Sequence, residues 1–86
     1  MNKSNISLKA KVIRVRVREG KAGLFYATSP ELKGLLVAEP TLDALERAIP
    51  VAIAELYDAC GLPVVVTKAD DEDTEAHDTT PWVAFP

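Results

Sequence analysis

Residues 23–61, GLFYATSPELKGLLVAEPTLDALERAIPVAIAELYDACG, constrain the fold more than any other part of the chain. Within them Leu42, Leu45, Ile49, Ile53, Leu56, Tyr57 and Cys60 recur at spacings of three and four, which draws one apolar stripe along a helix. Thr41 stands where an N-cap is needed, Asp43 favours the positive end of the helix, and Gly61 supplies a stop. Pro50 falls inside the helix, removes the bond to the Glu46 carbonyl and predicts a kink. Ahead of the helix, residues 24–29 read as a strand closed by Ser29-Pro30, because proline lacks a ladder donor. Gly34 then reopens the chain into residues 35–38, expected to form a well-buried strand. Nothing in this stretch has the chemistry of a catalyst; it has the chemistry of a surface.

Upstream, residues 11–18 alternate strictly. Ile13, Val15 and Val17 point one way and Arg14, Arg16 and Arg18 the other, which means a strand with one buried face. Ile6, Leu8, Ala10 and Val12 alternate in the opposite phase, and the slip at Val12–Ile13 predicts a β-bulge or bend. Residues 19–23 reverse the chain, with Gly20 and Gly23 giving backbone freedom. Downstream, residues 64–67 read as a fourth strand after Leu62-Pro63.

The expected architecture is α+β, in the order β-β-β-α-β, a mostly antiparallel sheet with one kinked helix on a face. Residues 1–68 would form the domain. Residues 69–86 would form an acidic tail that ends in an aromatic segment, with Trp82 and Phe85 supplying two of only five aromatic residues in the chain.

At 86 residues this is one small domain with a marginal core. Of the usual remedies, an intramolecular disulfide is excluded by the single cysteine, Cys60, which also favours a reducing compartment. Oligomerisation, as a homodimer or higher, is the expected remedy, and it would also cover a sheet edge. A polar start and the basic residues Lys9, Lys11 and Arg14 interrupt any leader-like run, so a cytoplasmic location is expected, with no membrane contact. Charge is polarised along the chain. Residues 1–21 carry seven basic residues against one acidic, whereas residues 69–86 carry six acidic residues and no basic one.

Candidate chemistry is sparse. His77 sits among acidic residues, but no glycine-turned loop shapes those oxygens into a cage, so a solvated tail is preferred to a metal site. No cofactor is implied. Cys60 continues the apolar stripe and is expected to be a packed thiol. Arg14, Arg16 and Arg18 are the strongest polar feature. They are suited to an anion or to the acidic tail, while a pI near 5.0 argues against nucleic acid. Trp82, Val83 and Phe85 either close the core or dock on a partner.

Several junction residues together resemble the HicB-like antitoxin superfamily. They are Gly23, Phe25 and Ala27 in a glycine-led strand, the turn Pro30-Glu31-Leu32-Lys33-Gly34 with lysine in place of a second proline, and the helix start Thr41-Leu42-Asp43. Ile49-Pro50 and the ending from Leu56 to Gly61 look closer to an uncharacterised stand-alone branch of it. The resemblance spans roughly residues 11–68 and implies a partial ribonuclease-H-like fold without nuclease activity. It also implies a protein that neutralises a small mRNA-cleaving toxin of the HicA type by covering its RNA-binding surface. Many such proteins carry a C-terminal DNA-binding module, and residues 69–86 match none. On this reading Asp70, Asp71, Asp73, Trp82 and Phe85 contact the partner, with the carboxylates standing where RNA phosphates lie. The alternative is a stand-alone homo-oligomeric structural module without a toxin.

Overall fold

The alternation of residues 11–18 becomes strand β1 (Lys11–Glu19), and the computed structural model, which describes residues 10–69 and 79–86, builds the sheet around it. Strands β2 (Phe25–Thr28) and β3 (Leu36–Glu39) follow, then helix α1 (Leu42–Ala59), β4 (Val65–Lys68) and β5 (Thr79–Phe85). The order across the sheet is β3-β2-β1-β5-β4, and every neighbouring pair is antiparallel. The domain is therefore α+β, with one α-helix among the described residues and a short 3₁₀ turn at Lys21–Gly23.

Register fixes the faces. Ile13 lies opposite Trp82 and Val17 opposite Ala27, so the side chains of these positions share the face that α1 covers. That face holds the core: Ile13, Val15, Ala27, Trp82 and Ala84 from strands, Leu45, Ile49 and Ile53 from α1, and Leu35 from the connection before β3. Full burial of a side chain such as Val15, Leu45 or Ile53 contributes roughly 1.5–3 kcal/mol each.

The caps of α1 are those its sequence predicts. Thr41 Oγ1 accepts a hydrogen bond from the Ala44 N–H at 3.0 Å. At the other end Gly61, with φ of 80°, donates to the Asp58 carbonyl, and the Leu62 N–H donates to that of Tyr57. This pair of bonds is a Schellman ending, in which the left-handed residue turns the chain off the helix. The helix runs without interruption from Leu42 to Ala59, through Pro50.

Four expectations need correction. First, the segment after the acidic run is no tail: Thr79–Phe85 is a strand inserted between β1 and β4, so the order is β-β-β-α-β-β. Pro81 is tolerated there because Arg14, opposite it, turns its backbone groups the other way, its N–H toward the Glu31 carboxylate at 2.7 Å, so no β1 carbonyl waits for the donor that proline lacks. Pro81 instead offers its carbonyl to the Ala69 N–H at 3.0 Å, just past the end of β4. Second, β1 pairs with β5 without an inserted residue from Lys11 to Arg16, so there is no bulge at Val12–Ile13, while Ile6 and Leu8 of the opposite-phase run lie outside the described residues. Val12 belongs to the outer face and is exposed. Third, β3 is an edge strand with Leu36 exposed; the buried residue is Leu35, just before it. Fourth, Cys60 is exposed: it is the C-cap, past the last helical residue Ala59 and beyond the buried part of the stripe at Leu45, Ile49 and Ile53.

Gly20 is needed for space. A Cβ at that position would collide with the Tyr26 ring, which lies across the turn from β1 to β2. Gly23, with φ of 74°, does serve the turn through its backbone.

Candidate interaction surface

The face of the sheet that α1 leaves uncovered follows from the same register. Even-numbered residues of β1 point there: Val12 beside Val83, Arg14 beside Pro81, Arg16 between Thr28 and Thr79, and Arg18 beside Tyr26. From β4 and β5 come Val65 and Phe85, which are direct cross-strand neighbours, and Thr67 opposite Val83. From β3 comes Leu36, opposite Thr28.

These positions divide the face in two. Val12, Val83, Phe85 and Val65 form a continuous apolar quarter across β1, β5 and β4, with Val12 55% and Val65 57% exposed. Arg16, Arg18 and Tyr26 form the polar quarter toward β2. Apolar residues are thus left in water beside charged ones on this face.

The arginines are placed as their alternation predicts, on one side of β1. Arg14 and Arg16 are half-buried and Arg18 is exposed. Glu31, in the turn between β2 and β3, reaches the β1 backbone at Arg14 where β2 has already ended. This acid of the turn thus completes the edge that β2 leaves short.

Trp82 and Phe85 separate. Trp82 is 4% exposed under α1 and closes the core, with its indole Nε1 buried and, among the described residues, without a hydrogen-bond partner. Phe85 is half-buried and opposite Val65 on the uncovered face. Asp70, Asp71 and Asp73 lie outside the described residues, as does His77. The sequence did not single out Val12 or Val65 for recognition, although Val83 belongs to the C-terminal segment it offered for core closure or docking. Their signal is an apolar residue at the solvent-facing phase of a strand, and it is readable only once the register is known.

On the helix side, an open groove of about 490 Å³ runs between α1 and β4, walled by Val51, Ala54, Pro63 and Val64, with Glu55 and Asp58. Farther along, Lys68 pairs with Glu46 of α1 above Trp82, and Arg47 pairs with Asp43 within the helix. Both pairs are largely exposed and contribute little to stability. Among the described residues no group of three or more His, Cys, Asp or Glu side chains is arranged to hold a metal, and no helix is long and apolar enough to cross a membrane.

Comparison with protein families, with curated proteins and with solved structures returns no match.

Proposed function

We propose that this chain is a non-catalytic, antitoxin-like binding protein that neutralises a small mRNA-cleaving toxin of the HicA type by covering its RNA-binding surface. The observation behind this is the uncovered sheet face, where Val12, Val65, Val83 and Phe85 meet in one apolar area beside an arginine ladder. Such a face suits a broad, rigid contact with another protein, because the strands that present it are anchored by the core beneath. The residues behind the HicB-like resemblance are consistent with that frame. Gly34 adopts φ of 94° in its turn, Thr41 caps α1 and Ala27 is buried against the helix. Phe85, rather than Trp82, is then the aromatic contact, and Asp70, Asp71 and Asp73 supply carboxylates to a basic partner. The protein acts in the cytoplasm on this reading, and the link to a toxin is by analogy of fold.

The test is functional. The full chain, tagged and recovered from its host at moderate salt, should bring down a small basic protein in stoichiometric amount. That protein should arrest growth when expressed alone, cleave RNA in vitro, and lose both activities when this chain is added. Recovery of the chain with no such companion, or a companion whose cleavage is unaffected, would contradict the proposal.

A second reading, a homo-oligomeric module without a toxin, is favoured by one specific feature: exposed apolar residues gather on both sides of the β4 edge.

A further inference from the structure

Strand β4 closes one edge of the sheet, and its surroundings differ from those of the other edge, β3. Among the described residues six large hydrophobic side chains are exposed. Val65 belongs to β4, Val51 walls the groove beside it, Leu62 precedes it by three residues, and Val12 continues the apolar area two strands inward. At β3 the only such strand residue is Leu36, and the chain turns through Pro40 straight into α1. Natural edges are guarded by charge, proline or a bulge. β4 has a lysine only at its last position, Lys68, and that side chain is drawn toward Glu46 on the helix.

The backbone of β4 is also ordered for pairing. The Ala69 N–H points to Pro81 on β5, so by strand alternation the N–H and C=O groups of Thr67 and Val65 point to β5 as well. Those of Val64, Val66 and Lys68 point outward. Pro63, which has no N–H, ends this outward row.

We infer that the β4 edge is the docking site for β4 of a second copy of this chain, paired antiparallel about a twofold axis perpendicular to the sheet. The two sheets then join into one of ten strands, with both helices on the same side. That symmetry requires side chains of matching faces to meet, and the register that uses the whole outward row places Val66 opposite Val66 of the second copy, and Val64 opposite Lys68 of the second copy. In this register the facing residues are those whose backbone groups point outward, so hydrogen-bonding pattern and side-chain parity agree. Charge agrees too. Lys68 of the second copy arrives beside Val64, in the groove that Glu55 and Asp58 help to wall. Val51 and Val64 of the two copies approach across the axis, while Val65 and Phe85 extend their apolar area over the join. The uncovered face remains open, so this pairing does not depend on the toxin-binding proposal and does not block it.

Sedimentation of the full chain over a range of concentrations tests the inference. The wild-type protein should sediment as a dimer. Val65→Lys, a change at an exposed position, should raise the dimer dissociation constant at least about tenfold with unchanged circular dichroism. Should V65K fail to fold, Val51→Lys on the exposed side of α1 is expected to weaken the dimer in the same way. Leu36→Lys, at the opposite edge, should leave it intact. In a Cys60→Ser background, Val66→Cys should form an intermolecular disulfide under mild oxidation, since the Cα atoms would lie about 5.5 Å apart. A wild-type monomer at all concentrations, dissociation by L36K with none by V65K or V51K, or no disulfide from V66C would each overturn it.

Discussion

Beneath α1, Ile13, Val15, Ala27, Trp82 and Ala84 are almost wholly excluded from water, whereas the same sheet turns Val12, Leu36 and Val65 outward on its other face, each more than half exposed. The pleat alone creates this contrast, since each strand sends alternate residues to opposite sides. Apolar side chains on the covered face hold the fold together. Those on the open face add little to the core, and the binding proposal above rests on them. A small domain with a one-sided core has surface to spare for such contact.

The contrast can be broken most severely from the covered side. Trp82→Ala should cost about 3–5 kcal/mol in chemical denaturation, enough to leave little folded protein, because it opens a large cavity under α1. If W82A unfolds at the wild-type midpoint, Trp82 is not part of the core. A smaller effect is expected where the Tyr26 ring lies against Gly20. Gly20→Ala should cost about 1–3 kcal/mol through its collision with Tyr26, and that cost should largely vanish in a Tyr26→Ala background. Equal costs in both backgrounds would move the cause from the ring to the backbone. Thr41→Ala removes the cap that receives the Ala44 N–H and should cost about 1 kcal/mol, read as a lowered unfolding midpoint. Least of all, Val12→Lys should change stability by no more than about 0.5 kcal/mol, because its side chain is already in water. A larger loss from V12K would show that the open face also carries the fold.

The helix and β1 were legible from sequence because each carries its own period and, for α1, its own punctuation at Thr41 and Gly61. Strand β5 was not. Pro81 and an acidic run before it speak against a central strand, and its tolerance depends on the direction of the Arg14 N–H and on β4 ending opposite it. Residues 35–38 are apolar without alternation, so sequence could not tell an edge strand from a buried one, nor that Leu35 alone of the pair with Leu36 turns inward. The same lack of register hid the apolar area on the open face. Val12 looked like the out-of-phase end of another run, and Phe85 could not be separated from Trp82 until β5 was seen to place them on opposite sides. The arginine ladder needed no register, since Arg14, Arg16 and Arg18 alternate within one strand.

The most direct measurement is a paired recovery from the native host. The tagged wild-type chain and its Val12→Lys variant are isolated side by side at moderate salt, and co-purifying proteins are quantified by mass spectrometry. The account predicts a stoichiometric small basic protein with the wild type and its loss with the variant, both chains remaining equally folded. No companion with either chain, or the same companion in equal amount with both, would contradict it.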